Sequence, residues 1–284
     1  MPDWLLVDGS SMIFRAFYGV PQSMRAPDGR PVNAVRGFLD SLARMVSERR
    51  PRFVGVASDE DWRPEWRVEL VPSYKSHRTA EPVPPLLEPQ FPVIHDALRA
   101  AGVDFVGSPG YEAEDVIATW VALAEGAAID IVSGDRDLFA VARDPLVRVL
   151  YPEKGGMAEI TEAEVERRYG VPGRLYADYA VLRGDPSDGL PGLPGVGPKR
   201  AADIIRLHGG LRGLIEAGRL RAADQDYLER AQRVVTPVRD VPVELPAGRR
   251  PDYPVDGAAL EELSRRHGLK GSVERLITAL RLTR

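Results

Sequence analysis

In its first half the chain alternates short apolar runs with stretches of helical periodicity, the pattern of strands and helices arranged around a mainly parallel sheet. Trp4–Val7, Arg52–Ala57, Ile129–Ser133 and Val147–Tyr151 are rich in β-branched or large apolar residues and end in polar or glycine-containing sequence. They predict four strands, with Val103–Val106 a weaker fifth. Between them Asn33–Glu48, Phe91–Ala101 and Glu112–Glu125 predict amphipathic helices, the last with Val116, Ile117, Trp120, Val121 and Leu123 on roughly one face. After Thr161 the strand signals stop. Thr161-Glu162-Ala163-Glu164 reads as a helix start: the threonine oxygen accepts a free first-turn N–H, and the glutamates complement the positive dipole end. Helical patterns then run to Ala217 and again from Gly257 onward, so the expected division is 1–175 and 176–284.

Two stretches break the alternation. Asp59–Pro89 carries Trp62, Trp66, Tyr74, Lys75, His77 and Arg78, and prolines crowd it at Pro82, Pro84, Pro85, Pro89 and then Pro92. A connection this long without a core face is characteristically functional or mobile. Val234–Tyr253, also proline-rich, reads as an extended surface connection. With 44% hydrophobic and 28% charged residues in 284, the composition is that of an ordinary globular protein. The absence of cysteine excludes a disulfide framework, a thiolate nucleophile and a cysteine-based zinc or iron–sulfur site. The N-terminus has no basic leader, and no window approaches the roughly 18 uncharged residues of a spanning helix. The expectation is a soluble, cytoplasmic, monomeric protein with no membrane role.

The candidate chemistry is acidic. Asp8 follows the first strand and Asp59 the second, and in a parallel sheet such strand ends share the edge at which ligands bind. Either residue alone reads equally as a turn former or helix cap. Glu112-Ala113-Glu114-Asp115 opens a helix with three acids in four residues, which repel one another unless a cation is near. Asp135-Arg136-Asp137 follows another strand, and Asp185-Pro186-Ser187-Asp188 sits in a glycine-rich turn. Solvated loops would explain each cluster singly, but all of them can converge on one edge of one sheet. Converging oxygens without His or Cys suit Mg²⁺ or Mn²⁺, and two such ions suit in-line displacement at a phosphodiester. Without these nine carboxylates the formal net charge of -4 becomes +5, and residues 189–250 hold 11 Lys/Arg against 7 Asp/Glu. The remaining surface therefore fits a polyanionic partner.

Gly189-Leu190-Pro191-Gly192-Leu193-Pro194-Gly195-Val196-Gly197-Pro198-Lys199-Arg200 precedes a helix predicted at Ala201–Leu207. Its free N–H groups, with Lys199 and Arg200, suit a nucleic-acid backbone. Pro198 and Arg200 exclude a Walker P-loop, and the lack of a preceding strand excludes a dinucleotide fingerprint. A plain structural turn is the alternative.

These residues resemble the structure-specific 5′-nucleases, the flap endonucleases and the 5′→3′ exonuclease domain of bacterial DNA polymerase I. The resemblance rests on Leu6-Val7-Asp8-Gly9-Ser10, Tyr74-Lys75-Ser76-His77-Arg78, Gly110-Tyr111-Glu112-Ala113-Glu114-Asp115, Ser133-Gly134-Asp135-Arg136-Asp137 and Gly184-Asp185-Pro186-Ser187-Asp188-Gly189-Leu190-Pro191-Gly192, in the family's order. It implies an α/β fold: a PIN-like core with a mainly parallel central sheet, a helical arch over about residues 60–92, and a helical C-terminal region with a helix-three-turn-helix DNA-binding motif. No polymerase follows, so a free-standing member is expected. The resemblance implies that Asp8, Asp59, Glu112, Glu114, Asp115, Asp135, Asp137, Asp185 and Asp188 surround two divalent cations. Lys75 and Arg78 would steer the scissile phosphate, with solvated loop cations as the alternative. Gly195, Gly197, Lys199 and Arg200 would engage duplex backbone, where K⁺ is a further expected ligand. The implied activity is cleavage of DNA at 5′ ends, flaps and nicks in replication and repair, with RNA primer strands as a further substrate. A PIN-type ribonuclease and a non-catalytic binder of branched DNA are the competing functions. Two departures stand out: the bacterial pattern has Asp where Glu114 stands, and Glu60 and Asp61 compete with Asp59 as ligands. Trp62 and Trp66 read equally as base-stacking platforms and as packing anchors.

Overall fold

Six strands form one sheet in the order β3-β2-β1-β4-β5-β6. They are β1 (Trp4–Asp8), β2 (Phe53–Ala57), β3 (Asp104–Val106), β4 (Ile129–Val132), β5 (Val147–Glu153) and β6 (Gly156–Ile160). Every neighbouring pair is parallel except β5 with β6. The computed structural model describes residues 1–79 and 83–283. Pro82 of the proline-rich stretch lies outside the described residues.

Because both faces are covered, strands read as near-continuous apolar runs, and alternate residues enter different cores. Trp4 and Leu6 of β1 pack into one core with Ile117 and Trp120 of helix α5 (Ala113–Leu123). Leu5 and Val7 enter the other, with helices α1 (Gly9–Gly19), α2 (Asn33–Arg49) and α4 (Phe91–Ala101). Helices α11 (Gly257–His267) and α12 (Lys270–Leu280) complete that second layer. On the α5 side lie α6 (Glu162–Tyr169), α7 (Tyr176–Arg183), α8 (Pro198–His208), α9 (Leu211–Glu216) and α10 (Ala222–Val235).

All five predicted strands and all three predicted helices of the first half are present, with shifted ends. The strand β6 and the helices α1 and α10 were not predicted. β6 is a half-exposed edge strand containing Gly156, with little β propensity of its own. α1 begins Gly-Ser-Ser, a poor helical opening, yet Asp8 caps it by accepting from the Ser11 N–H at 2.9 Å. Gly9 is required there, since a Cβ would stand 2.6 Å from the Ala57 carbonyl oxygen of the adjacent strand. In the expected arch segment the described residues form a six-residue helix α3 (Glu65–Leu70) and short 3₁₀ turns at Ser76–Arg78 and Glu88–Gln90.

Candidate functional site

The register sets the chemistry. Asp8 pairs with Ala57 of β2, and Val7 with Val132 of β4, so Asp8, Asp59 and Asp135 emerge along one edge of the sheet. The chain winds outward from β1 through β2 to β3 and then crosses back to β4 on the other side of β1, and this switch point opens a crevice. A cavity of about 470 Å³ lies there, lined by Asp8, Asp59, Glu112, Glu114 and Asp135 together with Lys75, Arg78 and Trp62. A larger groove, about 720 Å³, lies between α4 and α11, but none of the candidate residues lines it.

Among the described residues, one group of carboxylates can present oxygens all within 4.8 Å of one another: Glu114, Asp135 and Asp137. Asp135 is oriented by its own backbone, its N–H donating to Ser133 Oγ at 2.9 Å while its Oδ1 accepts from the Asp137 N–H at 2.8 Å. Asp8 Oδ2 accepts from Ser133 Oγ at 2.5 Å, which ties β1 to the β4 loop. Asp59 Oδ1 accepts from the Ala113 N–H at 2.8 Å, and Ser10 Oγ accepts from the Asp59 N–H at 3.0 Å. Glu60 is exposed, and Asp61 caps its own turn through the Arg63 N–H, so of the three acids Asp59 alone lines the cavity.

Burial of so many like charges shows in their acidities. Burial, then Asp59, pushes the Asp8 carboxyl up to about 7. Burial and Asp135 raise Glu114 and Asp137 well above the usual carboxylate range, and Asp188 is pushed up to about 6 by the same two causes. Asp135 is thus the common neighbour of the whole set. Glu114 Oε1 is buried without a hydrogen-bond partner; Arg67 Nη2 stands 3.0 Å away, an ionic contact off the donor direction. Hard oxygen donors, mutual repulsion and an unpartnered buried oxygen all fit a divalent cation.

Not every candidate acid joins that group of three. Asp115 Oδ1 accepts from Arg67 Nη2 and from the Val238 N–H, both at 2.8 Å, and its Oδ2 accepts from the Glu112 N–H at 3.2 Å. Asp185 is held by Arg136 at 3.0 Å and Arg183 at 3.1 Å, and caps its turn through the Ser187 N–H. The structure therefore ties these two carboxylates to arginines and keeps them out of the three-carboxylate group. Asp188 is buried, 3.8 Å from Arg78 Nη2.

Arg67, from α3, is the residue that sequence reasoning missed. It is fully buried and contacts Glu112, Glu114 and Asp115 at once, stacked on Trp66 with its guanidinium carbon 4.8 Å from the ring centre. The available signal was the cation that three clustered acids demand. Trp66 donates from Nε1 to the Gly110 carbonyl at 3.1 Å and is a packing anchor, whereas Trp62 faces the cavity. Lys75, in a left-handed conformation, is buried with Nζ on Glu112, which also accepts from the Tyr74 hydroxyl at 2.7 Å. Arg78 is exposed at the cavity rim and donates to the Ser187 carbonyl at 2.9 Å. In the hairpin, α8 starts at Pro198, earlier than predicted, and Gly195, Gly197, Lys199 and Arg200 are all exposed. Lys199 and Arg200 make no ion pair among the described residues.

A consequence for stability follows from Asp8. Its folded pKa is raised above the unfolded value of 3.8, so the folded state binds the proton more tightly, and stability falls as pH rises from about 4 to 7. Glu159 and Glu164 are held low by hydrogen bonds from Arg49 and Arg167, so their contribution is lost only under more acidic conditions. In EDTA the melting temperature should fall between about pH 5 and pH 8, and Mg²⁺ should raise it more at the higher pH. Thermal melts with and without metal check this; a metal-independent profile would count against cation binding.

Comparison with known proteins agrees with this architecture. A family model described as 5′-3′ exonuclease, N-terminal resolvase-like domain, matches residues 3–170, and one described as 5′-3′ exonuclease, C-terminal SAM fold, matches residues 171–251. A 5′-3′ exonuclease of Streptomyces coelicolor is 48% identical, covering 97% of this chain and 99% of its own. Among solved structures, T5 5′-exonuclease with divalent zinc bound has a TM-score of 0.66 at 19% identity, covering 99% of both chains. Flap endonuclease-1 from Methanococcus jannaschii has a TM-score of 0.61 at 16% identity, covering 99% of this chain and 93% of its own. At these identities the structural likeness is one of fold, that of a PIN-like α/β core. Two family models in succession, and near-half identity over almost the whole length of a relative, place this chain in the 5′-3′ exonuclease family.

Proposed function

We propose that the chain is a divalent-metal-dependent 5′-nuclease that hydrolyses DNA phosphodiester bonds at 5′ ends and at the junctions of 5′ flaps during replication and repair. The observation that carries this reading is the Glu114, Asp135 and Asp137 group at the sheet switch point, with Asp8, Asp59 and Glu112 lining the same cavity as Glu114 and Asp135. Glu114, Asp135 and Asp137, with Asp188 beside them, would hold one ion, and Asp8, Asp59 and Glu112 a second. When bound, Mg²⁺ or Mn²⁺ supplies Lewis acidity for in-line displacement at phosphorus. Lys75 and Arg78 would orient the phosphate and offset its developing charge. The cavity wall of Phe14, Val83 and Trp62 would exclude water from the reacting bond.

The region after the expected division at 175/176 would grip the substrate while lending Asp188 to the site. Gly195 and Gly197 would offer backbone N–H groups to a duplex phosphate, with Lys199 and Arg200 as counter-charges and K⁺ as a further ligand of the same turn. The protein would act as a monomer in the cytoplasm, on nucleoid DNA, with RNA primer strands as a second substrate. Incubation with end-labelled DNA bearing a 5′ flap, and with its RNA-flap counterpart, in Mg²⁺, Mn²⁺ or EDTA tests the reading. Metal-dependent incision near the DNA junction is expected; equal cutting of the RNA flap would favour a ribonuclease, and tight junction binding without incision a binder. Lys199→Ala is expected to weaken duplex binding alike for all sequences and to reduce the slope of log K against log salt by about one. Binding titrations across salt concentrations check it.

A further inference from the structure

α7 ends at Arg183, and the next residues, Gly184 to Asp188, carry two of the acids beside the site. The chain then runs through the hairpin to α8, and its path is clamped at every step. Asp185 and Leu190 exchange backbone hydrogen bonds at 3.0 and 2.9 Å, and the Leu193 N–H donates to the Leu182 carbonyl at 3.0 Å. Gly192 has φ 71°, and a Cβ there would stand 2.6 Å from the Arg183 carbonyl carbon and oxygen, so the hairpin lies directly against the end of α7.

A third element closes this junction. The Tyr227 hydroxyl, from α10, accepts from the Gly192 N–H at 3.0 Å and donates to the Val181 carbonyl at 3.4 Å. Further along α7, buried Asp178 accepts from the Leu211 N–H at the start of α9 at 2.9 Å and from Gln232 Nε2 of α10 at 2.7 Å. Neither side chain lines the cavity or joins the exposed hairpin tip.

We propose that Tyr227 and Asp178 are positioning residues that set where the nuclease cuts, by fixing the hairpin that grips duplex at a constant distance from the carboxylates. This rests on the nuclease reading above. With the strut intact, one phosphate reaches the carboxylates when the hairpin holds the duplex; with it loosened, neighbouring phosphates reach them too.

The test uses the whole chain, an end-labelled 5′-flap DNA and Mg²⁺. Tyr227→Phe keeps the packed ring and removes the hydroxyl. The ratio of the main cut to cuts at adjacent positions should fall about five-fold. The Mn²⁺-induced rise in melting temperature and the salt slope of duplex binding should both stay at the wild-type values. Asp178→Ala should broaden the cuts in the same way, and Asp178→Asn, which keeps an acceptor for Leu211, should restore the register. Unchanged cutting positions in Tyr227→Phe and Asp178→Ala would overturn the proposal alone, as would broadening accompanied by loss of metal response or duplex binding. A wild-type chain that cuts no flap would overturn the nuclease reading and this proposal with it.

Discussion

Replacing Asp137 by Asn is expected to abolish phosphodiester hydrolysis while leaving duplex binding intact. The substitution is nearly isosteric and keeps an oxygen in place, but it removes one charge from the only group of three carboxylates, among the described residues, whose oxygens fall within 4.8 Å of one another. A hard cation held by Glu114 and Asp135 alone loses both attraction and geometric definition. The loss should be on the order of a thousand-fold in turnover, about 4 kcal/mol of barrier. Stability should move the other way. Burial and Asp135 hold the Asp137 carboxyl well above its ordinary range, so removing its charge relieves repulsion, and in EDTA at about pH 8 the variant should melt at or above the wild type. The hairpin lies on a separate element, so the salt dependence of duplex binding should not change. Near-normal incision by this variant would contradict the assignment of Asp137 as a ligand.

The contrast between Asp137 and Asp185 shows what the sequence could and could not tell. Asp137 follows β4 and Asp185 follows α7, and each belongs to an acidic motif that fits a metal ligand equally well. Strand-ending positions were readable because a parallel sheet buried on both faces writes itself as apolar runs, and the carboxylates after β1, β2 and β4 share an edge by topology alone. Their partners were not readable. Asp185 is neutralised by Arg136 and Arg183, and Asp115 by Arg67, which lies in another element far back along the chain. Local pattern carries no information about such pairs. The same limit applies to β6, whose pairing with β5 overrides its glycine-containing sequence, and to α1, whose weak opening is rescued by the Asp8 cap. The arch segment was flagged by its length, but only its folded path shows that Arg67, Tyr74 and Lys75 all turn inward onto Glu112.

Arg67→Met is expected to be the most destabilising single change in the site. The guanidinium has no exposure to solvent, and its charge is opposed by burial, yet Glu114, Tyr74, Glu112 and Asp115 hold its pKa well above the ordinary value. Methionine fills most of the space and supplies no charge, leaving Glu112, Glu114 and Asp115 buried against one another. Breaking a buried ion network from one side costs about 3–5 kcal/mol, because the surviving charges are uncompensated. Urea denaturation in EDTA at about pH 8 should show that loss, and it should shrink at about pH 5, where the raised pKa values of Glu114 and Asp115 let protons replace the missing cation. Mg²⁺ should recover part of it at the higher pH, since the ion and the guanidinium neutralise neighbouring oxygens. Arg67→Lys should fall between the two, because one ammonium cannot span the three carboxylates that a planar fork reaches. Arg67 Nε has no partner, so the bridge is not optimised for its own hydrogen bonding. Its value lies in the carboxylates it holds together. A loss below about 1 kcal/mol, or one that does not diminish with falling pH, would show that Arg67 merely packs.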